Sequence, residues 1–172
     1  TLANVLHASA RTEDALTSLK TTVDLNPGHL QAWHTAGALN GMLNRHTIAI
    51  DCFHKALELQ PQATETRLNL AQSLLQTAQW DAAAEQCLRV TNETPESAVA
   101  WSMLGRSYAE QGQGDAALDA FRHAVQLKPA FPQALAGIGF ALHKQGNWEE
   151  SLDYFRQALQ VNPQMAQAHF GL

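Results

Sequence analysis

The residue types best suited to chemistry in this chain are its eight histidines and two cysteines. Proteins hold metal ions with these side chains at short fixed spacings, such as H-x-x-x-H on one helix face or two cysteines in one loop. No histidine pair has that spacing, and Cys52 and Cys87 stand far apart in the sequence. We therefore expect no metal site and interpret the histidines as scattered surface residues.

Nucleophilic catalysis needs a serine or cysteine grouped with a base, and no motif of that kind occurs in the sequence. Two glycine-containing segments resemble short phosphate-binding loops: Gly112-Gln113-Gly114 and Gly137-Ile138-Gly139. Neither segment follows a strand-like stretch, as a phosphate-binding loop would. The sequence therefore predicts no catalytic residue and no cofactor, and we expect a protein that is not an enzyme.

The charge balance also excludes some partners. Eleven basic and sixteen acidic side chains give a net charge of -5, whereas nucleic-acid binding needs a basic stripe. No apolar run approaches the roughly 20 residues that span a bilayer, so membrane insertion is not expected. Two cysteines are too few for a disulfide framework, and free thiols favour a reducing compartment. The sequence does not determine the location: the free thiols favour the cytoplasm, and the periplasm stays open as the alternative.

The elements that position these side chains follow a repeat. Five prolines stand 34 residues apart, and a fixed period of this size is typical of a repeat array. The prolines are Pro27, Pro61, Pro95, Pro129 and Pro163. Aligned on them, one array covers 1–172, with a partial unit at 1–29, full units at 30–63, 64–97, 98–131 and 132–165, and the start of another at 166–172.

Each full unit holds two apolar-periodic stretches of about 13 residues, which predicts a pair of short amphipathic helices. Turn residues separate the two stretches at Leu43-Asn44-Arg45, Gln111-Gly112-Gln113 and Gln145-Gly146-Asn147. Asn and Gly tolerate the left-handed conformation that ends a helix. Asp81 and Asp115 are candidate N-caps of second helices. The predicted fold class is all-α.

The residues that recur in register resemble the tetratricopeptide repeat. The unit 98–131 carries the pattern most fully, at Trp101, Leu104, Gly105, Tyr108, Ala117, Phe121, Ala124 and Pro129. The unit 64–97 departs most, since Arg67 replaces a large apolar residue and Cys87 an aromatic one. The resemblance implies a solenoid in which antiparallel helix pairs wind into a right-handed superhelix, with the first helix of each unit lining a concave groove.

The resemblance also selects candidate binding residues at the groove-facing positions of the first helices. These residues are His34, Leu68, Asn69, Gln72, Val99, Met103, Arg106, Phe140, His143 and Lys144. Amide side chains can pair with a peptide backbone, and Met and Phe fill irregular apolar contacts. Two binding modes of the family, a cationic clamp for a peptide carboxylate and an asparagine ladder, are not expected, because Asn69 alone matches them.

These observations favour a non-enzymatic scaffold that binds a peptide or protein segment in the concave groove. Two alternatives stay open. In the first, the array is the substrate-recognition arm of a larger enzyme, for example a glycosyltransferase. In the second, the array self-associates through its end repeats. The chain begins without Met and stops inside a repeat, so we interpret it as a piece of a longer array.

Overall fold

The computed structural model describes the backbone of residues 2–171 and the side chains of 11–166, 168, 169 and 171. All regular structure in this part of the chain is helical, so the predicted all-α class is confirmed. The helices are α1 Leu2–Leu25, α2 Leu30–Met42, α3 His46–Leu59, α4 Thr64–Gln76, α5 Trp80–Glu93, α6 Ala98–Glu110, α7 Gly114–Leu127, α8 Pro132–Lys144, α9 Trp148–Val161 and α10 Ala166–Phe170. None of the described helices is both long and apolar enough to cross a membrane.

The helices keep the 34-residue period of the prolines. First helices begin at 30, 64, 98, 132 and 166, and second helices begin at 46, 80, 114 and 148. One residue in each turn between them has a positive φ, and these residues also lie 34 apart: Asn44 (59°), Ala78 (57°), Gly112 (77°) and Gly146 (84°). The sequence indicated three of these turns, and Ala78 makes the fourth without a residue that favours the conformation.

Two local expectations about helix ends differ from the structure. Asp81 and Asp115 are not N-caps, because α5 and α7 begin one residue earlier and their N-cap residues are Gln79 and Gln113. Both aspartates lie in the first helical turn, where a negative charge interacts favourably with the helix dipole. In 1–29 a single continuous helix takes the place of a pair, and its residues 12–25 share the register of the second helices.

The chain divides into two compact units, Thr1–Thr77 and Ala78–Leu172. In the first unit α2 packs on α1 and α3, and α3 packs on α4. In the second unit each helix from α5 to α10 packs on the next, and α6 also contacts α8. The division falls at the turn between α4 and α5, inside the predicted repeat 64–97.

Phenylalanine rings fill notches left by glycines in neighbouring helices. A Cβ placed on Gly105 of α6 would lie 2.8 Å from the ring of Phe121, and one on Gly137 of α8 would lie 2.5 Å from it. Both distances are shorter than van der Waals contact allows, so the ring fits only because these positions carry no side chain. Phe155 meets Gly139 in the same way, at 2.7 Å.

Side chains at the fourth position of several first helices bind the proline carbonyl six residues earlier. Each donates an N–H to an oxygen in the turn that precedes its own helix, which ties the turn to the helix. The pairs are Trp33 with Pro27 (2.9 Å), Arg67 with Pro61, Trp101 with Pro95 (2.8 Å) and His169 with Pro163 (2.8 Å). Leu135 occupies this position in α8 and has no such donor.

Candidate functional site

The predicted binding residues lie on the first helices of the full repeats, in two groups. We call His34, Leu68, Asn69 and Gln72 the α2–α4 face; it belongs to the first unit. We call Val99, Met103, Arg106, Phe140, His143 and Lys144 the α6–α8 face; it belongs to the second unit. Within each face the two helices contact each other.

On the α2–α4 face, His34 is held by the first turn of α4. Its Nδ1 atom lies 2.8 Å from the hydroxyl of Thr66, and its Nε2 atom lies 3.8 Å from a carboxylate oxygen of Glu65. The ring also contacts Phe53, with centroids 6.0 Å apart. His34 therefore joins two helices and has little freedom to turn toward a ligand.

The other residues of the α2–α4 face are available to a partner. Leu68 and Asn69 are half-buried, and Gln72 is exposed. The side-chain amides of Asn69 and Gln72 make no hydrogen bond to any described residue. An extended peptide could therefore use their donors and acceptors without breaking an existing contact.

The α6–α8 face borders a cleft of about 320 Å³. Phe140 and Lys144 line it from α8, and Ala109 and Ala117 line it from α6 and α7. The ring of Phe140 packs edge-on against Phe155, with centroids 4.9 Å apart, so the aromatic wall is held in place. The cleft exists because most of the remaining positions carry small side chains.

Charged and polar groups surround this apolar cleft. Lys144 lines the cleft and is exposed, and Asp115, which also lines it, accepts a hydrogen bond of 2.8 Å from the side-chain amide of Gln145. Neither Lys144 nor Arg106 forms an ion pair with a described residue, and both are therefore open to an acidic or carbonyl group. Sequence reasoning missed Asp115 and Gln145, because they meet only after α7 and α8 pack together.

Four predicted residues of the α6–α8 face lie outside the lining of the cleft. Val99 is 45% exposed, whereas Met103 and Arg106 are half-buried. His143 packs edge-on against Trp148, with centroids 4.5 Å apart, and Trp148 is itself 58% exposed. These side chains offer contact area beside the cleft without forming a second pocket.

Groups able to bind metal are also spread out. Among the described residues, no three His, Cys, Asp or Glu side chains come together in a way that could hold a metal ion. Cys52 and Cys87 are both buried free thiols. Burial raises the pKa of Cys52, with a further contribution from the charge of Asp51, and burial raises the pKa of Cys87 to about 12.

Solved structures with the same fold cover nearly the whole chain. The chain superimposes on MamA with a TM-score of 0.82 at 22% identity, covering 97% of this chain and 98% of that one. A MamA structure from Desulfovibrio magneticus RS-1 gives 0.82 at 21% identity, covering 95% and 94%. YrrB, described as a TPR protein with an unusual peptide-binding site, gives 0.78 at 23% identity, covering 98% and 87%. These similarities confirm the predicted solenoid of tetratricopeptide repeats.

One curated relative matches part of the chain. The peroxisomal targeting signal receptor of Kluyveromyces lactis is 31% identical over 87 residues. The match covers 51% of this chain and about 15% of the receptor.

Family models match three stretches of the chain. Together these stretches cover all the full repeats, apart from the first part of the repeat 30–63. A model described as TPR repeat matches residues 105–146, and models described as tetratricopeptide repeat match 44–106 and 132–165. These matches agree with the helix pairs, the 34-residue period and the glycine-phenylalanine contacts described above. The chain therefore belongs to the tetratricopeptide repeat family of protein-interaction scaffolds.

Proposed function

We propose that this chain is a non-enzymatic scaffold that binds an extended peptide or protein segment on its first helices. The observation that carries the proposal is the cleft of about 320 Å³ beside Phe140 and Lys144. It combines a fixed aromatic wall with a cation that no described carboxylate neutralises. Ligand sites commonly have this composition, mostly apolar with a few polar groups that orient the ligand.

The chemistry of the cleft suits one apolar side chain of a bound segment. That side chain would lie against Phe140, Ala109 and Ala117, and an acidic side chain next to it in the segment would reach Lys144. Arg106 lies on the same face as a second cation. On the α2–α4 face, the free amides of Asn69 and Gln72 would pair with backbone groups of an extended segment.

The relatives support this proposal in a general way. YrrB carries a peptide-binding site, and the Kluyveromyces protein is a targeting signal receptor. Both descriptions concern those proteins.

The test is selection of ligands from a random peptide library with the whole chain, followed by affinity measurements on variants. Ala109→Leu would occupy part of the cleft and Lys144→Glu would reverse the charge of the side chain at position 144, and each should weaken the binding of the selected peptides at least tenfold. Lys128→Glu makes the same charge change away from the cleft, where Lys128 lies 5.0 Å from the ring centroid of Phe131, and should leave affinity unchanged. Peptides that bind the first two variants as tightly as the wild type would show that the cleft is not the site.

A further inference from the structure

The repeat register explains why the cleft of about 320 Å³ on the α6–α8 face is open. Two of the residues that line it are Ala109, at the twelfth position of the repeat 98–131, and Gly114, at the seventeenth. In the other full repeats these two positions carry Gly41 and His46, Leu75 and Trp80, and His143 and Trp148. Among the four full repeats, only 98–131 has no side chain larger than a methyl group at either position.

An indole ring lies at the seventeenth position of two repeats, where the repeat 98–131 has only a hydrogen atom. Trp148 begins α9 as Gly114 begins α7, and its ring packs edge-on against His143, with centroids 4.5 Å apart. Trp80 begins α5 in the same way and is half-buried. The repeat 98–131 therefore lacks a two-ring side chain at the point where the cleft is found.

The space beside Gly114 is large enough for an indole. Outside its own helix backbone and chain neighbours, a Cβ added to Gly114 would meet a single described atom within 4 Å, Nε2 of Gln145 at 3.7 Å. That distance is ordinary van der Waals contact. An apolar cavity of roughly 150 Å³ holds a benzene ring, so a cleft of about 320 Å³ has room for two fused rings.

The walls of the cleft favour an aromatic ring over an aliphatic side chain. Phe140 lines the cleft and is held by its edge-on contact with Phe155, and a second ring gains from packing against such a surface. Lys144 also lines the cleft and forms no ion pair with a described residue. An ammonium group is attracted to the face of an aromatic ring, and most strongly to that of tryptophan.

The charges near the cleft indicate which residues flank the ring in the partner. Lys144 and Arg106 are cations on the same face, and neither is paired with a described carboxylate. Asp115, the carboxylate that lines the cleft, already accepts a hydrogen bond from Gln145. Charge complementarity therefore favours a segment with acidic residues next to the aromatic one.

We propose that the cleft binds a tryptophan side chain in an acidic segment of a partner protein. Its indole takes the place beside position 17 that Trp80 and Trp148 occupy in their own repeats. This inference rests on the proposed function, because the bound segment supplies the ring. It adds the identity of the recognised side chain, and it assigns to Gly114 the role of leaving room for it.

Gly114→Trp tests the role of Gly114, because it places the residue of two other repeats beside the cleft. Gly114 is not among the positive-φ residues, so its backbone accepts a larger side chain. The variant should be at least as stable as the wild type in urea unfolding, since glycine is a weak helix former. It should bind the selected peptides at least tenfold more weakly, whereas Gly114→Ala, which adds one methyl group, should keep the wild-type affinity.

The peptides test the identity of the ring. Those selected from the random library should contain tryptophan next to Asp or Glu. Replacing that tryptophan by leucine keeps an apolar side chain but loses the aromatic contacts, and should weaken binding at least fivefold. Peptides that bind equally well with leucine would overturn the tryptophan proposal and leave the scaffold function intact, whereas a chain that selects no peptide would contradict both.

A titration of the ¹⁵N-labelled chain with N-acetyl-tryptophanamide locates the ring by nuclear magnetic resonance. The amide signals of Ala109, Gly112 and Gly114 should shift in the wild type, and those of Ala109 and Gly112 should stay unchanged in Gly114→Trp. N-acetyl-leucinamide is the control and should cause no shifts there. Absence of shifts with the tryptophan probe would overturn the proposal. So would wild-type dimers that dissociate in Gly114→Trp, because the occupant would then be a second copy of this chain.

Discussion

The guanidinium group of Arg67 donates a hydrogen bond to the carbonyl oxygen of Pro61, as the indole of Trp33 does to Pro27. From the sequence, Arg67 stood out as a departure from the repeat. The structure shows that an indole, a guanidinium or an imidazole at this position can each supply the N–H donor, whereas Leu135 in α8 has none. Four of the five recurring prolines therefore mark turns whose carbonyl groups are held by the helix that follows.

Removing the N–H donor from the fourth position of a first helix should lower the free energy of unfolding by about 1 kcal/mol, the usual contribution of a neutral hydrogen bond. Trp101→Phe keeps an aromatic ring and loses the N–H that binds Pro95. Urea unfolding followed by circular dichroism measures the effect. Trp148→Phe is the matched control, because Trp148 is 58% exposed and binds no described backbone carbonyl, and its change should stay within about 0.5 kcal/mol. Equal stability of the two variants would contradict the proposed role of the bond.

Ala78→Gly should raise the free energy of unfolding by about 1 kcal/mol, because Ala78 has a φ of 57° and L-residues other than glycine are strained there. Ala130→Gly is the control, since Ala130 lies in a turn and is not among the positive-φ residues. That variant should lower stability by about 0.5 kcal/mol, because glycine makes the unfolded chain more flexible. Changes of the same sign in both variants would show that the φ of Ala78 carries no strain.

Gly137→Ala should destabilise the second unit by about 1 kcal/mol, although alanine favours helices. The new Cβ would lie 2.5 Å from the ring of Phe121, which cannot move away because Gly105 contacts it from α6. At Gly28 an added Cβ has only one neighbour within 4 Å, Asn26 Oδ1 at 3.4 Å. Gly28→Ala should therefore leave stability equal or higher. Thermal unfolding of both variants separates overpacking from the general effect of replacing glycine.

The ion pair between Glu13 and Arg45 should make a small, pH-dependent contribution to stability. The hydrogen bond and charge of Arg45 lower the pKa of Glu13 below its ordinary value of 4.5. The contribution is therefore present in full above pH 4.5 and is lost as the pH falls through the lower folded-state pKa. Glu13→Gln should have a lower Tm than wild type at pH 7 and the same Tm in strong acid. Glu96→Gln, in an exposed turn, should show no such convergence.

Both thiols should react slowly in the folded chain. Burial raises the pKa of Cys87 to about 12 and also raises that of Cys52, so little reactive thiolate is present at pH 8. A chromogenic disulfide reagent should modify two thiols per chain along the urea unfolding transition, with Cys52 the first to react. Rapid modification of Cys87 in native buffer would show that its surroundings open without unfolding.

The sequence predicted the helix pairs because each depends on local signals, such as Asn44 and Gly112 at turns that need a positive φ. It did not predict the turn at Ala78, since alanine carries no such signal. Phe140 and Lys144 were predicted as binding residues from their register alone. Their cleft could not be predicted, because it depends on Asp115 and on how α7 packs beside α8.

Phe121 couples two repeats in a way that bears on how the chain unfolds. The residue belongs to one repeat, and its ring fills a notch in α6 of that repeat and a second notch in α8 of the next. If either repeat opens alone, the ring loses its contacts in one of the two notches and becomes more exposed to water. Amide hydrogen exchange should therefore show α6, α7 and α8 protected to a similar extent, as one cooperative block that spans a repeat boundary.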